Sequence, residues 1–472
     1  MPADSFFIYK KHLIKTLTAM RPVLITIFLL AGSFMASAQS LFDEIPGSAG
    51  KGYRLGGFIR SGIYVNQPDK SAGIPVSFAD LSLNTETGDG INYKAYADLR
   101  YRYGSEYGNT VSKPELREAW AAWYTPYTEL KAGKQFLKWS RMDFFRLTDN
   151  ISPRNDLYRS FDPADRYLSN ISVKLQANPS ENISLQALLI PRYRPSVIYT
   201  EFIDLPPIIE ITDMYKDIDR PVSYGLRAEL FLRNFSAGIN YYYGYRPGPG
   251  LRPDSIRLPA AGSDPHITIT KKPFRIRTFS AGFEFTAGKN IIRSEAVWTN
   301  PVKDHRQENH IMFPEIRWAA GIERLLGNLL VLVEYSGKYI CGYEKPAADP
   351  VLPELSSFEE FAALPPEQVS EYIHLQISSF NRLYNYQLEE YYHFAGLRLS
   401  YEKDFALFTP SLNILYNITA GEYMIRPALG ISPSDNLEIM LGAGIYRGTE
   451  NSLFNMISDR INSLYTGLRI EF

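Results

Sequence analysis

The sequence holds a single cysteine, Cys341, and six histidines in 472 residues. One thiol cannot form an internal disulfide and leaves no cysteine cluster for a metal. His266, His305, His310, His374 and His393 show no metal-ligand spacing. The formal net charge is only -1, so no basic surface calls for a nucleic-acid partner. After Ala38 no apolar run is long enough for a transmembrane helix, which takes about 20 residues. The nucleophile-elbow pattern is missing. The acidic runs at Asp149-Asn150 and Asp162–Asp165 lack the spacing of a calcium loop and suit turn caps instead. No catalytic residue, metal or bound cofactor is expected.

What the chain does have begins at its N-terminus. Lys10, Lys11, Lys15 and Arg21 precede an apolar core from Val23 to Met35, then Ala36-Ser37-Ala38, a small-x-small cleavage site. Residues 1–38 read as a secretory signal peptide whose removal leaves Gln39 first. Either Met1 or Met20 can serve as the start, since Met20 opens a compact signal by itself. With no cysteine near the site, lipidation there is not expected. Residues 39–52 read as a short periplasmic segment and 53–472 as one further domain.

That domain is rich in aromatics, 14% of the chain with 33 Tyr and 27 Phe, and it alternates. Between Tyr53 and Asn66, Leu55, Ile59, Ile63 and Val65 share one face and Arg54, Arg60 and Tyr64 the other. From Ile91 to Tyr103, Tyr93, Ala95, Ala97, Leu99 and Tyr101 alternate with Asn92, Lys94, Tyr96, Asp98, Arg100 and Arg102. Charge at every second place on successive strands suits a wet lumen, and aromatics on the other face suit interfacial girdles. Short turns, such as Thr87-Gly88-Asp89-Gly90, Gly288-Lys289 and Glu402-Lys403-Asp404, alternate with longer stretches. The longer ones include Gln67–Gly73, Gly104–Pro114, Phe136–Asp165, Pro191–Arg220, Arg246–Arg275, Cys341–Glu390, Asn417–Gly421 and Gly448–Arg460. The rhythm predicts an all-β, transmembrane antiparallel β-barrel of about 18 strands (16 is the other count the boundaries allow), with long extracellular loops and short periplasmic turns. Leu464, Thr466, Leu468, Ile470 and the terminal Phe472 share one face of the last strand, which resembles the assembly signal of outer-membrane barrels. Outer-membrane lipid and the barrel-assembly machinery are the partners this implies. Only Gln39–Gly52 would precede the first strand, too little for the plug of a TonB-dependent transporter or the hatch of a fatty-acid transporter.

The stretch Gly133 to Arg154, GKQFLKWSRMDFFRLTDNISPR, keeps neither strand nor helix period and reads as an ordered loop that shapes a pore. Around it lie Arg117-Glu118-Ala119, Gly133-Lys134-Gln135, Trp139, Asp143, Thr148-Asp149-Asn150 and Pro153-Arg154-Asn155. This pattern, over Glu115–Asn155, resembles the alginate-export-like family of porin-like outer-membrane barrels. Where that family usually has Gly-Arg after the Trp, this chain has Ser140-Arg141. The resemblance implies a porin-like barrel without naming a substrate.

Among positions assigned to the lumen, basic residues outnumber acidic ones. Rings of Arg and Lys favour anions by offsetting their lost hydration. The candidate pore residues are Arg100, Arg102, Arg117, Lys131, Lys138, Trp139, Arg141, Asp143, Arg146, Asp149 and Arg154. The expected role is passage of small or polymeric hydrophilic solutes, anionic ones above all. The competing reading is a plugged structural or adhesin barrel whose long loops bind an external partner; taken singly, any one of these arginines serves as well to brace the wall. A helix is expected to start near Pro366, covering the mouth, dipping into it, or packed within an external loop of its own, while Arg246–His266, rich in Pro and Gly, reads as a flexible surface loop.

Overall fold

The computed structural model describes residues 53–66, 73–202, 208–213, 218, 221–257, 266–306, 308–350, 365–401, 403 and 406–472. The expected signal peptide and periplasmic segment, residues 67–72 of the first long stretch, and two residues of the Glu402-Lys403-Asp404 turn lie outside them. In chain order the strands are β1 (Tyr53–Asn66), β2 (Gly73–Gly88), β3 (Tyr93–Glu106), β4 (Asn109–Tyr124), β5 (Thr128–Gln135), β6 (Asn170–Ser180) and β7 (Ile183–Ile190). Next come β8 (Ile209–Asp213), β9 (Ser223–Leu232), β10 (Phe235–Tyr245), β11 (Gly250–Arg257), β12 (His266–Lys272), β13 (Arg275–Ala287) and β14 (Asn290–Pro301). The last are β15 (Glu315–Leu326), β16 (Leu329–Ile340), β17 (Tyr391–Tyr401), β18 (Phe408–Asn417), β19 (Glu422–Ser434), β20 (Leu437–Arg447) and β21 (Ser463–Glu471). Two helices matter below, α1 (Pro366–Tyr384) and α2 (Leu453–Ile461).

Eighteen strands, all but β8, β11 and β12, form one antiparallel sheet. β21 pairs back onto β1 from Phe58↔Glu471 to Val65↔Leu464, so the sheet closes on itself. Alternation sorts the two faces as the sequence pattern requires. On β3, Arg100 and Arg102 are buried inside, while Leu99 and Tyr101 stand exposed outside. The outward band includes Leu226, Ile239, Phe279, Trp298 and Ile322, with Ile239 64% exposed. An apolar band on every side of a closed barrel has lipid as its solvent.

At the short-turn end, Asp89 accepts the amides of Ile91 (3.0 Å), Asn92 (2.7 Å) and Tyr93 (3.0 Å). These bonds hold its carboxyl well below the usual range.

Four expectations for the long-loop end need correction. Gly104–Pro114 is not a loop: β3 and β4 pair as far as Glu106↔Asn109, leaving only Tyr107 and Gly108, at φ 49° and 84°. Positive φ at both positions matches the strand twist, but Tyr-Gly lacks the usual Asn-Gly signature. Asn417–Gly421 is likewise a tight turn, with Asn417 opposite Glu422. Within Arg246–His266, Gly250–Arg257 is strand β11, which pairs antiparallel with β12, itself parallel to β8. Gly448–Arg460 contains most of α2, which buries Leu453, Ile457 and Ile461 and starts where the Ser452 hydroxyl caps the Asn455 amide.

The helix expected at Pro366 is α1. Val369, Ile373, Ile377 and Phe380 recur at helical spacing and pack on Ile209, Leu251, Ile267 and Ile269 of the small sheet. Asn381 locks this module by accepting from the Leu251 amide (2.8 Å) and donating to its carbonyl (2.7 Å).

The two faces make opposite demands on substitution. Ile239→Arg, pointing into lipid near mid-strand, should cost about 2–4 kcal/mol, whereas Asn240→Arg next to it, pointing into the lumen, should cost far less. Urea titration of folding into lipid vesicles measures both.

Candidate functional site

Residues 136–169, between β5 and β6, fold into the barrel, and the reason is visible on the wall. β14 and β16 carry Glu295 and Glu334 inward, 2% and 1% exposed. Carboxylates so buried need donors. Glu334 accepts three consecutive amides, from Asp143 (2.8 Å), Phe144 (3.0 Å) and Phe145 (3.1 Å). Glu295 accepts the hydroxyls of Ser140 (2.9 Å) and Thr148 (3.3 Å) and the amide of Arg141. Charge-assisted bonds of this kind are among the stronger ones available to a protein. Arg141 reaches Glu229 on β9 (2.7 Å) and Ser236 on β10 (3.1 Å). Arg317 on β15 donates to Asn150 Oδ1 (2.7 Å). Inside the loop, Asp149 accepts from the amides of Trp139 (2.6 Å) and Ser140 (3.0 Å). The Trp139 indole is buried against Gly225, where any side chain would collide with it.

The returning limb fastens to the wall of β1 to β4. Asp165 is buried against Arg60 (2.6 Å), Arg100 (2.8 Å) and Arg117 (3.8 Å), and Ser160 donates to it (2.5 Å). Arg60 also pairs with Asp80 (2.7 Å), and Arg102 with Glu106 (2.9 Å), while Arg102 donates to the carbonyl of Arg159 (2.8 Å). Burial alone would raise the Asp165 pKa, but the Arg60 and Arg100 guanidiniums overcome it and hold the carboxyl below the usual range. Phe161 seals this end among Tyr64, Phe78 and Tyr465, over Gly62 and Gly467, where a side chain would meet its ring.

The candidate residues therefore fall into three groups. Arg100, Arg102 and Arg117 are buried under the loop and faced by carboxylates. Trp139, Arg141 and Asp149 hold the loop's shape, while Asp143 lies 3.6 Å from Arg293 and 3.8 Å from Arg398. Lys131 sits 3.5 Å over the Trp120 ring, and Lys138 is exposed. Arg154 pairs with Asp156 (2.9 Å) and, like Arg146, faces the Tyr167 ring. Sequence reasoning missed Asp80, Glu106 and Glu115. Asp80 was recoverable from its place between Ala79 and Leu81, in step with Ser82.

A further set stands out by lacking acidic partners. Among the described residues, Arg146, Arg159, Arg166, Arg246 and Arg426 have no carboxylate oxygen within 4.0 Å. The charges of Arg159, Arg166 and Arg426 all act on Tyr446; Arg146 and Arg246 face the Tyr167 and Phe274 rings, and Arg159 donates to the Tyr107 hydroxyl (2.8 Å).

No protein-family model matches the chain, and no curated protein matches it in sequence. Solved structures do match in shape. OccAB3 of Acinetobacter baumannii superposes with a TM-score of 0.51 at 10% identity, over 89% of this chain and 98% of that one. OccK9 (OpdG) of Pseudomonas aeruginosa gives 0.50 at 10% identity, over 89% and 97%. The chain has the fold of an outer-membrane porin-like barrel. At this identity the likeness carries the fold alone, and the lumen chemistry is this chain's own.

Two variants test the attachments of the lumen loop. Glu334→Ala removes three charge-assisted bonds and should weaken the loop's docking by about 2–4 kcal/mol, read as faster tryptic cleavage within residues 136–169 of the folded barrel. For Asp165 the pH sign is fixed by its lowered pKa: its contribution is complete above about pH 4 and disappears only as pH falls through the folded value. Cleavage should stay slow from pH 7 down to the protease's acidic limit in the parent protein and be fast at pH 7 in Asp165→Asn.

Proposed function

We propose that the protein is an outer-membrane channel through which small hydrophilic solutes diffuse, anionic ones preferentially. One observation carries the reading: a loop held across the lumen by wall carboxylates, beside five arginines that have no acidic partner among the described residues. Burial of Glu295 and Glu334 under loop amides ties these acids into the scaffold. Arg146, Arg159, Arg166, Arg246 and Arg426 then set the sign of the field that a solute meets. Of the residues first nominated from sequence, Arg146 belongs with this set, whereas Arg154 is paired with Asp156. Arg100, Arg102, Arg117, Arg141, Asp143 and Asp149 serve as positioning residues, and Lys131 and Lys138 contribute long-range charge. No bond is made or broken in this function.

The finer resemblance, to alginate-export-like porins, extends the proposal to anionic oligosaccharides, whose carboxylates the same arginines would pair. Secretion through the signal in residues 1–38, a periplasmic stretch at 39–52, and insertion by the barrel-assembly machinery, directed by the final strand with its terminal Phe472, complete the reading. Phe472 exchanges backbone hydrogen bonds with Gly57 (3.0 and 3.1 Å) and its ring packs there, so it works in the finished barrel as well as in assembly.

One observation favours the plugged barrel as the second reading. Leu157 of the lumen loop packs with Tyr107, Tyr199, Tyr384 and α2 in a shared cluster, so inner and outer loops meet. Proteoliposome swelling separates the two. The channel reading expects uptake of small sugar acids several-fold faster than of equal-sized amino sugars, with the difference reduced by Arg426→Gln combined with Arg166→Gln. Liposomes that hold folded barrel and admit neither solute would establish the plugged barrel instead.

A further inference from the structure

The outer wall carries a feature that passage through the lumen does not use. On β9, β10, β13 and β14 the outward residues fall into rows set by the strand register. The row nearest the long loops pairs Tyr245 with Arg275; the next holds Tyr224, Tyr243 and Arg277. Below come Leu226, Tyr241, Phe279 and Trp298, then Ala228, Ile239, Ala281 and Ala296. Three alanines in one row, beneath a row of large side chains, leave a dent in the wall. It is an apolar groove of about 850 Å³.

Directly above, at the long-loop rim, lies a second hollow of about 830 Å³ lined by Lys272, Arg275, Lys303, Tyr224, Tyr243 and Tyr245, together with Glu308 and His310. Glu308 pairs with Lys303 (2.8 Å), Lys272 (3.3 Å) and, more loosely, Arg252 (3.8 Å). Burial pushes the His310 imidazole down to about 4, so it adds no charge at neutral pH. Among the described residues the rim carries more cations than acids; Arg275, which donates to the Val222 carbonyl (3.2 Å), and Arg277 lie 5.4 and 5.8 Å from the Tyr243 ring centre. Arg277 is exposed on the lipid side and has no carboxylate partner among the described residues. An arginine facing lipid is costly unless an anion meets it at the interface.

We infer that this face binds a phosphorylated lipid of the leaflet at the long-loop end, its headgroup phosphate on Arg277 and an acyl chain in the alanine-floored groove. Ala281 lies four positions on from Arg277, roughly 14 Å along the strand, so a chain running down from a head held at the rim enters the groove directly. Guanidinium forks match phosphate oxygens better than any other side chain does. The inference rests on the membrane-barrel reading but not on conduction, because none of these side chains points into the lumen.

The test is native mass spectrometry of the folded full-length barrel titrated with bisphosphorylated hexa-acyl lipid A, beside its enzymatically dephosphorylated form. One tightly held copy is expected, with about tenfold weaker binding for Arg277→Gln, and again for Ala281→Trp, which fills the groove. The dephosphorylated lipid should bind the parent no better than the intact lipid binds Arg277→Gln. Equal binding of both lipids, indifference to both substitutions, or a second copy of the barrel covering the face would overturn the inference. Gel mobility before and after heating confirms that each variant is folded. Unchanged solute uptake by variants that lose the lipid separates failure of this site from failure of the channel reading.

Discussion

Two buried carboxylates organise this barrel. Glu295 and Glu334 project inward from β14 and β16, each almost wholly buried. The backbone amides and hydroxyls of residues 140–148 supply the donors that such burial demands. A buried charge without donors is far costlier than the entropy of ordering a few loop residues, so the loop is drawn into the lumen and kept there. Asp165 repeats the arrangement with the signs exchanged: wall arginines are buried, and the loop supplies the carboxylate. Loop and wall each complete the other's electrostatics at both ends of the crossing.

The charge a solute meets is thereby set by what remains after this mutual neutralisation. A count of lumen-facing arginines overstates the positive field, because Arg60, Arg100, Arg102 and Arg117 are balanced by Asp80, Glu106, Glu115 and Asp165. Acids are neutralised as well, and Arg146, Arg159, Arg166, Arg246 and Arg426 are left without an acidic partner among the described residues. The Tyr167 and Phe274 rings beside Arg146 and Arg246, and the Tyr107 hydroxyl that accepts from Arg159, hold guanidinium without cancelling its charge, which suits a surface where anions must bind weakly and leave again.

The barrel was legible in the sequence because its signal is periodic and repeated. Each strand such as Ile91 to Tyr103 writes its two faces in alternate letters, and eighteen strands reinforce one another. The inward loop was legible as a loop because Trp139 to Arg154 breaks that period, and α1 because Pro366 opens a helical spacing of apolar residues. What failed was local. Tyr107-Gly108 makes a two-residue turn without the usual residues, and α2 is too short to stand out from Gly448–Arg460. Gly250–Arg257 contains Pro253 at a bulge, which hid a strand. Pairing was illegible altogether: nothing local in Asp165 says that it meets Arg60 and Arg100, the nearer of them 65 positions away in sequence.

The central claim, that arginines left without acidic partners by the loop's docking govern passage, is tested most directly by the zero-current potential of single channels in a KCl gradient. The account predicts a chloride-favouring potential that moves toward zero when Arg159, Arg166 and Arg426 are neutralised together, with the channel still open. A potassium-favouring potential in the parent protein, or one indifferent to those three substitutions, would contradict it.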